Sequence, residues 1–304
     1  MALLPITTIV ALLHALLALR LLPALAESTS VWPVLAVALV ISVVTMPLPF
    51  LARRRSRVPA WLKWTGLVSM GWFSSLFVLS VLRDMALLGH WVLNPADVQG
   101  NEVWRTTSAL VVPLLATLVT LVGYFNARRT ARVRRVDIPI ESLPSQLEGF
   151  TIAQLSDIHV GPTIRVRYIE RIVNAVNRLG ADMVAITGDL VDGSVAELRA
   201  HVAPLGRLKA RHGTYVVTGN HEYYAGAHAW IDELRSLGLN VLMNEHVVLQ
   251  TRNVSGAQTD EEVHESALVV AGVTDYTAGH FDHTHSSDPE GAVRDAPPQV
   301  HTRV

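Results

Sequence analysis

The 304-residue chain contains no cysteine. Thiol nucleophiles, disulfides and thiolate metal sites are therefore excluded, and any metal must be held by oxygen and nitrogen donors. Acidic residues are scarce in the first part, where residues 1–135 carry 4 Asp and Glu against 13 Lys and Arg. The balance then reverses. Residues 136–304 carry 22 acidic side chains against 12 basic ones, and 11 of the 13 histidines. A net charge near zero is thus the sum of a basic apolar half and an acidic half. The basic residues flank long apolar runs instead of forming a patch, so no nucleic-acid partner is expected.

Four apolar stretches occupy residues 1–127, at about 3–25, 31–50, 61–82 and 107–125. Each is close to the roughly 20 residues that cross a bilayer as a helix. Trp32, Trp61, Trp64, Trp91 and Trp104 fall near the expected interfaces, where indole rings are favoured. The second stretch is followed by RRRSR, Arg53 to Arg57, and the fourth by Arg128, Arg129, Arg132, Arg134 and Arg135. Between them, the loop from Arg83 to Arg105 has two basic and three acidic residues. Arginine clusters that alternate with charge-poor loops predict four crossings with both ends of the anchor in the cytoplasm. His14 and Arg20 are the only histidine and charged residue well inside the first stretch. That is too little ionisable chemistry for an ion path, so the segment reads as a multi-pass anchor in contact with membrane lipids. Residues 128–148 form a basic juxtamembrane linker.

From Phe150 short apolar runs alternate with amphipathic helical patterns. TIAQLS, MVAIT (Met183 to Thr187) and TYVVT (Thr214 to Thr218) read as strands. Between the first two, Arg165 to Gly180 places Ile169, Ile172, Val173 and Val176 on one helical face. Val195 to Lys209 is expected to be helical, with Pro204 bending or breaking it, and Ala227 to Leu237 forms another helix. LNVLMN, HVVLQ and ALVVAGV add three further strands, and Arg252 to Glu265 reads as a polar hairpin or loop. Strands and helices in this alternation imply an α/β domain over residues 149–304.

The first three strands end in SDIH (Ser156 to His159), TGDLVDG (Thr187 to Gly193) and TGNHEYY (Thr218 to Tyr224). Three successive carboxyl ends at one sheet edge thus offer oxygen and imidazole donors, where α/β proteins bind ligands. Two carboxylates, an amide oxygen and imidazoles suit Mn, Fe or Zn. Asp189, on the middle strand, is placed to bridge two cations, with Asp157 and His159 on one and Asn220 on the other. Such a pair activates a hydroxide for in-line attack at phosphorus. His221 is better placed to help a phosphoryl oxygen or leaving group than to ligate beside Asn220. Asp192 reads as a cap or turn residue. Arg165, with Arg167 beside it, and Tyr223, with Tyr224, are the nearest residues that could touch a substrate.

The pattern DxH, GD and GNHE, from Asp157 to Glu222, resembles the calcineurin-like metallophosphoesterase family, and LSDIH with the apolar segments resembles its bacterial membrane-associated branch. The resemblance implies two facing mixed sheets flanked by helices. It also implies two divalent metal ions, with Asp157 and His159 as first-metal ligands, Asp189 as bridge, Asn220 on the second metal and His221 as the catalytic histidine. The expected activity is hydrolysis of a phosphomonoester, phosphodiester or pyrophosphate, on a phosphate-containing small molecule or a lipid-linked substrate. The expected location is a bacterial cell membrane. The family supplies three further histidines, two of them in a GHxH turn, that no later strand here presents. The domain accordingly reads as incomplete at its C-terminus, and GHFDHTH (Gly279 to His285) as a solvated loop. A noncatalytic membrane scaffold is the alternative function.

Overall fold

The structure is a computed structural model that describes residues 3–28, 30–49, 59–251, 266–297 and 302–303. The chain divides into two compact units, Met1–Arg129 and Thr130–Val304.

The first unit is helical: α1 (Leu3–Ser28), α2 (Trp32–Thr45), α3 (Ala60–Leu93) and α4 (Val98–Ala127). Three of these are long and apolar enough to cross a membrane, over Thr7–Ala26, Trp61–Leu93 and Gln99–Ala127. The second expected span differs. Its helix has only 14 residues, about 21 Å at the helical rise, because Pro47 and Pro49 follow closely and the regular helix stops at Thr45. The charge-poor loop expected from Arg83 to Arg105 is mostly helix as well, with only the turn at 94–97 left between α3 and α4. Arg83 is kept inside by donating to Ser108 Oγ and to the Arg105 carbonyl, each at 2.9 Å. Asp97 caps α4 by accepting from the Gly100 amide at 2.9 Å. Leu17, Leu21, Leu39, Phe73, Leu76 and Ala116 form the centre of this unit. Leu19, Val34, Leu114 and Phe125 point outward and are more than half exposed. An apolar exterior around an apolar centre is the surface a lipid environment calls for. The arginine cluster at 53–57 lies outside the described residues.

The second unit carries two sheets. The first is parallel, in the order β1 (Ile152–Leu155), β2 (Met183–Thr187), β3 (Thr214–Val217) and β4 (Asn240–Val241). The second joins β5 (Glu245–Thr251) antiparallel to β6 (Ser266–Gly272), and β6 parallel to the two-residue β7 (Thr302–Arg303). The resemblance led to two mixed sheets; only the second is mixed. Strand alternation sorts the core. Val184, Ile186 and Val216 face α5 (Val166–Asn177), α6 (Val195–Val202) and α8 (Ala227–Ser236). Met183, Ala185, Tyr215 and Val217 face Val247, Leu249, Leu268 and Val270 of the second sheet. Each β-to-β crossover through a helix leaves the carboxyl ends of β1, β2 and β3 side by side.

Two sequence expectations for this unit are revised. The helix expected to Lys209 ends at Val202 and continues as a 3-10 turn through Arg207, since Pro204 removes a backbone donor. Residues 274–297, which include the Gly279–His285 run read as a solvated loop, fold onto the domain. Asn244 Oδ1 accepts from the backbone amides of Thr274 and Asp288, both at 3.2 Å, and Ala278 is fully buried. The expected hairpin or loop at 252–265 lies outside the described residues.

Candidate active site

Asp157 and His159 leave β1, Asp189 leaves β2, and Asn220 and His221 open the short helix α7 (Asn220–Ala225) after β3. The first two loops run together beyond the sheet. The Asp157 amide donates to the Gly188 carbonyl at 3.3 Å, His159 to Asp189 at 3.0 Å and Val160 to Leu190 at 2.7 Å. Asp157, His159 and Asp189 all adopt left-handed backbone angles, with φ of 54°, 51° and 52°. Non-glycine residues take that conformation at a cost, and asparagine and aspartate bear it best.

The β2 and β3 loops approach so closely that glycine is required at both. A Cβ on Gly188 would stand 2.5 Å from the Gly219 nitrogen, and one on Gly219 would stand 2.3 Å from Asp189 Oδ1. This accounts physically for the glycine that precedes Asp189 and the one that precedes Asn220. Glu222 fastens the two loops. Its side chain is 2% exposed and accepts four backbone N–H groups: Gly219 at 2.7 Å, Leu190 at 2.8 Å, Asp189 at 3.0 Å and Val191 at 3.2 Å. Burial pushes the Glu222 carboxyl above its ordinary value, while the four amides pull the other way.

Ligand atoms of Asp157, His159 and Asp189 lie within 4.8 Å of one another, which is the spacing of groups around a common cation. The donors are carboxylate oxygen and imidazole nitrogen, a set that fits borderline divalent ions such as Mn, Fe or Zn. Asn220 lies beyond Asp189 in the neighbouring loop, where its amide nitrogen donates to Tyr224 Oη at 3.3 Å. That orientation leaves the amide oxygen as the donor for a cation. Asp189 Oδ1 also accepts from the His221 backbone amide at 3.1 Å, which sets the carboxylate between the two loops.

Asp192 is not a helix cap. Ser194 and Glu197 cap α6 between them. A single oxygen of Asp192, Oδ1, instead accepts from His159 Nδ1 at 3.0 Å and His221 Nδ1 at 2.6 Å. The two rings meet edge to face with centroids 4.5 Å apart. With Nδ1–H committed to Asp192, Nε2 of His159 is the atom that can ligate. Burial lowers the His159 pKa, but the Asp192 hydrogen bond and the charges of Asp192, Asp189 and Asp157 outweigh it and raise the value.

The other expected contacts are distributed unevenly. Arg165 and Arg167 are exposed, and Arg165 Nε donates to the Pro162 carbonyl at 3.0 Å. Tyr223 is buried, with its hydroxyl 3.3 Å from Thr218 Oγ1 and 3.2 Å from His285 Nδ1. Tyr224 is exposed and stands edge-on to His221 at 5.4 Å, so it forms the rim of the site. The Gly279–His285 loop is not simply solvated: Phe281 packs on Tyr223 and Tyr224, with centroids 5.8 and 5.4 Å away. Asp192 and Glu222 were missed by the sequence reading. The signal for Asp192 was its position three residues after Asp189 in a loop with no helix yet begun. The signal for Glu222 was an acid three residues after a strand-end glycine.

The family model for calcineurin-like phosphoesterases matches residues 150–289. Among similar proteins, a transmembrane protein with metallophosphoesterase domain from Danio rerio is 38% identical over 191 residues, covering 62% of this chain and 44% of that one. The Bos taurus protein of the same description is 38% identical over 229 residues, 73% of this chain and 50% of its own. An uncharacterized metallophosphoesterase from Helicobacter pylori is 37% identical over 134 residues, 44% of this chain and 35% of its own. The chain spans about half the length of these relatives or less.

Proposed function

Because residues 150–289 form a calcineurin-like phosphoesterase domain, we propose that the protein is a membrane-anchored, metal-dependent hydrolase of phosphoesters. The observation that carries this reading is the convergence of Asp157, His159 and Asp189 within 4.8 Å at one sheet edge. Asn220 and His221 are held beside them by the Glu222 clamp.

Asp157, His159 and Asp189 would hold one divalent cation, and Asp189 with Asn220 a second. Such ions, when bound, supply acidified water and neutralise negative charge on the phosphoryl group. The remaining work falls to this chain's side chains. Asp192 aims both imidazoles by accepting from Nδ1 of each, so that His159 would ligate through a deprotonated Nε2, while a protonated His221 would carry its second proton on Nε2. That proton is passed, or donated as a hydrogen bond, to the oxygen leaving phosphorus. Glu222 keeps the Asp189 and Asn220 loops at fixed separation. The helical unit holds the domain near a bilayer, which favours a phosphomonoester, phosphodiester or pyrophosphate that is lipid-linked or present at the membrane surface. The arginines from 128 to 135 support a cytoplasmic domain under the positive-inside rule.

The test uses the full chain in detergent with manganese, bis(4-nitrophenyl) phosphate and an alkyl phosphodiester. Asp189→Asn should lose bound metal and hydrolysis together. His221→Ala should keep metal and lose turnover, most severely for the alkyl ester, whose leaving oxygen is the more basic. Hydrolysis undiminished in Asp189→Asn would overturn the reading.

A further inference from the structure

A second constellation lies outside these residues. We propose that His228, Asp282 and His285 form a separate site for one borderline divalent transition-metal ion of the zinc, cobalt(II) or nickel class. His228 sits in the first turn of α8, whereas Asp282 caps, and His285 ends, the second 3-10 turn of the 278–285 loop. One ligand atom from each lies within 4.8 Å of those from the other two.

The orientation of each side chain favours an ion. Asp282 uses one oxygen, Oδ1, to accept from the Thr284 amide at 2.8 Å and the Thr284 hydroxyl at 2.6 Å. This leaves Oδ2 facing His228, whose Nε2 is 2.8 Å away. Two ligands on a tetrahedral ion, each at about 2.0–2.1 Å, stand roughly 3.4 Å apart. The His228–Asp282 pair therefore has to open by only about half an ångström to admit one. His228 is exposed and able to make that adjustment.

His285 is the residue that separates a metal site from an ordinary surface ion pair. Its ring lies 4.7 Å from that of His228. Its Nδ1 lies 3.2 Å from the buried Tyr223 hydroxyl, which is itself 3.3 Å from Thr218 Oγ1. When Nδ1–H donates to the phenol oxygen and the phenol donates onward to Thr218, the His285 Nε2 keeps its lone pair for a cation. Ligating histidines are oriented through their second nitrogen in this manner. Two imidazoles and one carboxylate, with a further position open to water, suit zinc-like ions and not calcium or magnesium.

None of the three ligands belongs to the candidate active site. An ion there would tie the 278–285 loop to α8, and through Tyr223 and Thr218 to the turn that carries Asn220. The site is thus a structural brace on the phosphoesterase loop.

The test is metal binding. The Asp189→Asn variant of the whole 304-residue chain, in detergent and stripped with a chelator, is titrated with cobalt(II) and with zinc. One equivalent of cobalt should bind with the intense visible absorption of four-coordinate cobalt, and zinc should displace it. Adding His228→Ala should abolish that absorption and weaken zinc binding at least tenfold, with the metal-free melting temperature lowered only slightly because the His228–Asp282 ion pair is largely exposed. His285→Gln should do the same, and should also loosen the loop. Absence of a cobalt equivalent in the Asp189→Asn parent, or identical binding with and without His228, would overturn the proposal.

Discussion

Glu222 allows a demanding prediction, because its four hydrogen bonds have no substitute. Replacing it with Gln preserves shape but turns one carboxylate oxygen into an NH2 group. Oε1 accepts from Leu190 and Val191, and Oε2 from Asp189 and Gly219. Whichever way the amide is placed, two buried backbone donors then face another donor. Each charge-assisted bond lost is worth about 1.5–3 kcal/mol, or roughly 3–6 kcal/mol for the pair. Part of this is returned, since removing the charge also removes the desolvation that pushes the carboxyl upward. The expected net loss is about 2–4 kcal/mol, a large share of the ~5–15 kcal/mol that holds a domain folded. Glu222→Ala should be worse, because it strands all four donors and opens a cavity. The assay is hydrogen exchange by mass spectrometry on the full chain, with a melting curve alongside. Amides 189–191 and 219 should lose protection far more than those of α5, and metal affinity should fall as the Asp189 and Asn220 loops separate. Uniform protection and a melting temperature within a degree of the parent would refute the clamp.

Asp192→Asn should retain most of its metal, because it removes no proposed ligand, yet lose roughly ten- to a hundredfold in turnover as His159 and His221 lose their common orienting charge. Elemental analysis beside initial rates separates the two effects. Cysteines introduced at Ser28 and Ala96 should react with an impermeant reagent in intact cells while one at Ser145 should not; labelling at Ser145 alone would reverse the orientation. In metal-free protein Asp282 is held down to about 2 by the Thr284 side-chain and backbone hydrogen bonds and by His228. The folded value is depressed, so the support Asp282 gives its loop is present above about pH 4, the ordinary aspartate range. It is lost as the pH falls toward 2, which carbon-detected NMR titration of the carboxyl can follow.

Much of this molecule was legible in local pattern. Val173 and Val176 at helical spacing, and strands closing on Asp157, Asp189 and Asn220, are properties of short windows of sequence. What escaped depended on contacts between windows. Nothing near Arg83 says that Ser108 and the Arg105 carbonyl will accept its charge. Asp192 could be mistaken for a cap because Ser194 and Glu197 had not yet been seen to do that work. Its two histidine partners are 33 and 29 residues away. The Glu222 clamp spans loops separated by 31–33 residues and likewise has no local signature. The 278–285 loop looked solvated because its anchors, Tyr223 and His228, both lie earlier in the chain.

The left-handed angles at Asp157, His159 and Asp189 have a consequence for the history and engineering of such a domain. Each non-glycine residue in that conformation costs about 1–2 kcal/mol, the penalty for His159 being the least relieved by local hydrogen bonding. Glycine at any of the three would relax the backbone while erasing a donor. Under the proposed function, a selection for thermal robustness alone would therefore drift toward variants that lack one of the proposed donors. Stability screens on this scaffold need a functional gate, and a relative found with glycine at one of these positions should prove sturdier and unable to hold its cation.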